Sequence, residues 1–114
     1  MNGAVDIRPL SRFEDLTAAV GLQRTVWGYS QADVDSSAIL VIASRYIGHV
    51  LGAFDGEDLA GFALSFHTAD AKRTHSHRVG VLPRFQNQGV GRLLKLAQRE
   101  TSIGGNYPVA DLCQ

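Results

Sequence analysis

From Val79 to Glu100 the chain reads VGVLPRFQNQGVGRLLKLAQRE, and these residue types are suited to gripping phosphate. An apolar run stops at Pro83, Gln86-Asn-Gln-Gly89-Val-Gly91 makes a short turn, and an amphipathic segment follows. The first turn of a helix carries N–H groups without internal partners, and aligned peptide dipoles add partial positive charge there. Gly89 and Gly91 let an anion approach this backbone and permit dihedrals that other residues resist. Just upstream, His75 and His77 are the side chains of the preceding segment whose ordinary pKa lies near neutrality, which suits proton transfer. Their plainer role is that of polar residues at the entrance of a strand.

Charge supports the phosphate reading. The formal net charge is zero, but residues 1–71 carry four basic and nine acidic side chains. Residues 72–100 hold Lys72, Arg73, Arg78, Arg84, Arg92, Lys95 and Arg99 against Glu100 alone, a net of +6. Arg92, Lys95 and Arg99 are also spaced to form one solvated helix face. Binding to nucleic acid would want aromatic residues among the cations, and Phe85 is the only one in that block, which argues against it.

These groups must be positioned by a single domain, the most that 114 residues allow. Val5–Arg8 reads as a strand stopped by Pro9. Ser11-Arg-Phe-Glu14 has the pattern of a capping box, and Phe13, Leu16, Val20 and Trp27 recur at helical spacing behind it, so a helix is expected over Arg12–Val26, ended by Gly28. Ser36 is placed to cap a second helix reaching about Arg45. Val50–Phe54 and Leu59–Phe66 flank Asp55-Gly56-Glu57-Asp58 as an antiparallel hairpin, with Ala60, Phe62, Leu64 and Phe66 on one face. His75–Leu82 makes a further strand, and without a bulge His75, His77, Val79 and Val81 share a side. The next helix places Val90, Leu93, Leu94 and Ala97 on its packed face. Residues 101–114 contain Gly104-Gly105-Asn106 and Pro108 and read as an irregular tail, with 109–113 the one further candidate strand.

This order of elements resembles the first two-thirds of the GNAT N-acetyltransferase superfamily. The resemblance rests on Val81-Leu-Pro83 followed by Phe85-Gln86-Asn-Gln-Gly89-Val-Gly91, similar to that family's acyl-CoA signature, and on Leu94-Lys-Leu-Ala beyond it. It implies an α/β fold: a mixed, mostly antiparallel sheet with helices on both faces. It also implies acetyl-CoA as co-substrate and an amine, of unknown identity, as acceptor. By this resemblance the backbone of Gln86, Asn87, Gln88, Gly89, Val90 and Gly91 would hold the coenzyme diphosphate. The main chain at Val79 to Val81 would pair with the pantetheine arm as an added strand, and the Val81 N–H would face the developing oxyanion. Trp27 and Tyr29 would border the acceptor. His75 and His77 remain the candidate bases, with no carboxylate between Lys72 and Arg99.

The same comparison predicts that residues 1–114 form one partial domain, with the signature at 75–100 and the later strands absent through truncation or a frameshift. An exposed sheet edge and self-association would follow. A degenerate acyl-CoA-binding module without turnover is the rival function. His67 with His75 and His77 could in principle ligate a metal, but His-x-His alone specifies none, and no metal is expected. His49 beside Gly48 is given no special role. The longest apolar run, Ala38–Ala43, is too short to span a bilayer, so no membrane partner is expected. Cys113 is the single cysteine, and with no secretory pattern at the N-terminus it favours the cytoplasm.

Overall fold

The computed structural model describes residues 5–28, 34–70, 73–104 and 109–112. The sheet takes its strands in sequence order: β1 (Asp6–Pro9), β2 (Gly48–Asp55), β3 (Asp58–His67), β4 (Arg73–Val81) and β5 (Val109–Leu112). The first four are antiparallel neighbours, and β5 lies parallel to β4. The tail was expected to be irregular and to leave this edge of the sheet open, with 109–113 its one candidate strand. Val109–Leu112 forms that strand, and the sheet is mixed for that reason.

Two helices between β1 and β2 cover one face. The first, α1 (Phe13–Trp27), starts without the predicted capping box. Arg12 is its N-cap with no side-chain hydrogen bond, and Phe13 is 63% exposed. Its buried side runs through Leu16, Ala19, Leu22 and Gln23. Gly28 closes it as predicted, its N–H donating to the Arg24 carbonyl at 2.9 Å. In α2 (Ser37–Ile42) the predicted cap is present: Ser36 Oγ accepts from the Ile39 N–H at 3.3 Å. A π-helical turn, Ala43–Ile47, continues it into β2. Leu16, Leu22, Leu40, Val50, Phe62 and Leu64 join across this face in one core.

The opposite face is covered by α3 (Val90–Gly104), which reaches past Glu100, with Thr101 Oγ1 bonded back to the Ala97 carbonyl at 2.8 Å. Val90 and Leu94 are buried against Leu51, Ala53, Ala63 and Phe85, with Ala97 beside them. Leu93, grouped with them by spacing, stands at the margin and is 42% exposed.

Two bulges reset which side chains face which helix. On β3, Ala53 pairs with Gly61 and Phe54 with Leu59, leaving Ala60 as the extra residue. Ala60 therefore joins the α3-side core, while Phe62, Leu64 and Phe66 pack toward α1 and α2. On β4, Leu64 pairs with Arg78 and Ser65 with Ser76, so His77 is unmatched. The predicted shared side for His75, His77, Val79 and Val81 is corrected by this bulge. Val79 and Val81 pack toward α3, whereas His77 lies against Phe66 and beside His75 on the α1 side.

Beneath α3 the sheet buries a polar layer. His49 Nε2, Ser65 Oγ, Thr74 Oγ1, Ser76 Oγ and both amide atoms of Gln98 are buried without a hydrogen-bond partner among the described residues. Burial lowers the His49 imidazole below its usual 6.5, and the nearby His67 lowers it further. The unfolded chain then binds that proton more readily than the folded one. Stability is fully present above the unfolded value and is lost as pH falls through the folded one. The melting temperature should fall as pH drops below the usual imidazole value, and His49→Gln should flatten that slope. An unchanged slope in the variant would assign the acid sensitivity elsewhere.

Candidate functional site

The cradle is shaped by its own side chains. After β4 a 3-10 turn, Pro83–Phe85, buries Phe85 against the α3-side core. Gln86 Nε2 donates to the Val81 carbonyl at 2.9 Å, and Gln88 Nε2 donates to the Arg84 carbonyl at 3.0 Å. Both glutamine side chains thus brace the turn. Asn87 (φ +65°) and Gly89 (φ +84°) take left-handed conformations, which asparagine tolerates and glycine adopts without a steric cost. The Gly89 carbonyl accepts the Leu93 N–H at 3.0 Å, so the helix begins directly after it. A Cβ on Gly89 would meet nothing within 4 Å, whereas one on Gly91 would come 3.8 Å from Val81 Cγ2. A side chain at Gly89 would therefore be unobstructed by neighbours. Gly91 faces β4.

The strand edge beside the cradle presents backbone groups in the expected pattern. The Leu82 N–H donates to the Ala60 carbonyl at 2.8 Å, so it points toward β3. Alternation along the ladder then turns the N–H and C=O of Val81 and Val79 away from β3. Pairing with β5 runs only from Arg73↔Val109 to Ser76↔Leu112. Val79 and Val81 lie beyond that register. The Val81 carbonyl is taken by Gln86, which leaves its N–H as the outward donor.

On the α1 side of the same strand, Trp27, His77, Arg78 and Val79 line a cleft of about 340 Å³. Trp27 packs edge-on to Phe62, its ring centroid 6.4 Å away, and the Arg78 guanidinium lies 5.2 Å from the Trp27 ring. The indole sits over Gly80, where a Cβ would come 2.7 Å from Cη2. His77 and His75 stand 5.7 Å apart, centroid to centroid. Sequence reasoning missed Asp35. Its carboxylate meets Arg78 Nε at 2.6 Å and His77 Nε2 at 3.6 Å. Nothing local marks this residue, since it lies 43 positions before Arg78.

The basic block does not form one surface. Arg78 is spent on Asp35 across the sheet from α3, and Arg84 lies 3.7 Å from Asp58. Arg92 follows Gly91 in the first turn of α3 and is exposed. Tyr29, Lys72 and Cys113 lie outside the described residues. His67 does not join His75 and His77. It meets His49 edge-on, 5.3 Å between centroids, and no group of metal-ligating residues occurs among the described residues.

A mixed five-stranded sheet with helices on both faces, and a glycine turn leading from β4 into α3, is the frame on which these groups are set. The chain belongs to the acetyltransferase (GNAT) family, whose model matches residues 15–100. Among solved structures it is similar to an aminoglycoside acetyltransferase from an uncultured soil metagenomic sample, in complex with sisomicin. There the TM-score is 0.81 at 14% identity, covering 96% of this chain and 77% of that one. It is also similar to the PaiA N-acetyltransferase of Thermoplasma acidophilum in complex with coenzyme A, with a TM-score of 0.76, 22% identity and coverage of 92% and 76%. A third is the ribosomal-protein-S18-alanine N-acetyltransferase of Escherichia coli, with a TM-score of 0.70, 18% identity and coverage of 86% and 59%. At such identities these likenesses establish the fold. No curated protein matches the sequence. No described helix is long and apolar enough to cross a membrane.

Proposed function

We propose that this chain is an acetyl-CoA-dependent N-acetyltransferase acting on an amine. The observation that carries the proposal is the Gln86–Gly91 turn, braced by its own glutamines, with Gly89 in the left-handed region and its carbonyl opening α3. The fit to coenzyme A is specific to these parts. The backbone from Gln86 to Gly91 would hold the diphosphate, Arg92 would add positive field, and the outward groups of Val79 and Val81 would meet the pantetheine arm.

The acceptor enters from the cleft of Trp27 and His77. His77 takes one proton from the acceptor ammonium, and the neutral amine attacks the thioester carbonyl carbon. The Val81 N–H donates to the oxyanion that forms. As the C–S bond breaks, the second nitrogen proton passes to the sulfur, and His77 returns its proton to solvent. His75 serves as the neighbouring polar contact. Splitting of the basic residues between the two sheet faces argues against a nucleic-acid groove.

Calorimetry with coenzyme A, dephospho-coenzyme A and single-stranded DNA tests the cradle, and thiol release over a panel of amines tests turnover. Binding of coenzyme A without thiol release from any amine would make the chain a binding module. His77→Ala should lower kcat by about 100-fold with the coenzyme Kd unchanged. Full activity in that variant would remove His77 from the mechanism.

A further inference from the structure

Apart from the cradle and the strand edge, the most constrained polar arrangement among the described residues is the one that fixes Asp35. Gln23 is fully buried in α1. Its Nε2 donates to the Asp35 carbonyl at 3.0 Å, and its Oε1 accepts the Asp35 N–H at 2.8 Å. A backbone N–H can only donate and a carbonyl can only accept, so this pairing fixes the orientation of the amide. The clamp locks the main chain of one residue onto α1. From there the Asp35 carboxylate, 17% exposed, reaches over to the β4 bulge.

Two side chains meet it, one on each oxygen. Oδ2 accepts from Arg78 Nε at 2.6 Å, and Oδ1 faces His77 Nε2 at 3.6 Å. Arg78 is itself seated over Trp27, so its position is not set by Asp35 alone. The bulge is what makes the contact. With His77 inserted as an extra residue, His77 and Arg78 fall on the same face and one carboxylate can meet both.

We infer that Asp35 is a positioning residue for His77, holding its Nε2–H and leaving Nδ1 as the nitrogen that takes the proton from the acceptor. The inference rests on His77 being the base proposed above. The 3.6 Å separation is longer than a hydrogen bond, and it closes when an acceptor fills the cleft. Gln23 acts one step further back, through Asp35. Among the described residues, the groups facing His77 are Asp35 from the segment before α2, His75 and Arg78 from its own strand, and the uncharged Phe66 and Trp27 from β3 and α1.

Asp35→Asn tests this sharply because Arg78 Nε is a donor only. The amide oxygen must stay on Arg78, which turns the amide NH2 toward His77. His77 Nε2 then has to accept, and its proton moves to Nδ1, where it blocks the base. Two-bond 15N–1H correlation spectra of the neutral His77 ring should show Nε2–H in the wild-type chain and Nδ1–H in the variant. The variant's kcat should fall about 100-fold, with the KM for acetyl-CoA unchanged, and Asp35→Glu should recover part of the loss.

Nδ1–H in the wild-type ring overturns the inference, and that measurement needs no variant to fold. So does an Asp35→Asn chain that melts cooperatively, keeps Nε2–H and loses less than about threefold in kcat. Failure of the proposed function reads differently. If no amine releases thiol, or if His77→Ala stays fully active, the proposed base is lost while the ring spectra still report what Asp35 does to His77.

Discussion

Gly89→Val should reduce coenzyme A affinity by about 100-fold or more, the largest functional loss expected from a single substitution, because two effects act together. The residue sits at φ +84°, a conformation that costs a residue with a Cβ about 1–2 kcal/mol and a β-branched one more. The added side chain would also occupy room at the proposed diphosphate site, since no neighbour stands within 4 Å of its Cβ. Gly89→Asn separates the two. Asparagine tolerates the left-handed region, as Asn87 does two residues earlier at φ +65°, so it should keep the melting temperature near wild type while still occupying the cradle. Isothermal titration with coenzyme A reads the affinity and calorimetric melting reads the fold. Wild-type affinity in the asparagine variant would show that the diphosphate does not sit in front of Gly89.

The largest stability effect belongs to Gly48, where β2 begins. A Cβ there would stand 1.9 Å from the Ser65 carbonyl oxygen and 2.9 Å from its carbon. Both are backbone atoms of the paired strand, so no side-chain rotation relieves the overlap. Gly48→Ala must push β2 from β3 at the end where His49 pairs with Ser65 and Gly48 with Phe66. A loss of about 3 kcal/mol is expected, which for a domain of this size lowers Tm by more than about 10 °C. A melting curve within about 2 °C of wild type would mean that this strand pair is looser than the structure shows.

Much of the fold could be read from residue types alone. Ser36 before an apolar run, Gly56 between two apolar segments and Pro83 after a third each have one dominant local use, and each is found in it. The signature turn was legible for the same reason, since two glycines and two glutamines around a helix start have few other employments. What escaped were effects of counting and of distance. A bulge adds one residue to one strand, and nothing in the alternation of Thr74 to Val81 announces it. The sequence placed His75 and His77 with Val79 and Val81, and a single unmatched position put them on opposite faces. Asp35 was invisible because its importance comes from the Gln23 clamp and from Arg78, neither of which is close in sequence. Leu93 and Phe13 show the remaining limit. Helical spacing selects a stripe, but the edge of the stripe depends on how far the neighbouring layer extends.

The unmatched residue in β4 also bears on how such a chain can change over generations. Residues 73–77 contribute imidazoles to one side of the sheet, and residues 79–81 offer main-chain groups along its rim. Exchanging side chains in the first stretch leaves the peptide groups of the second in place, so, on the proposed function, acceptor preference could drift while the thioester donor stays the same. A one-residue deletion at 77 would act differently: it would remove the bulge, leave Ser76 opposite Ser65 and His75 opposite Phe66, and take away only the imidazole that reaches Asp35.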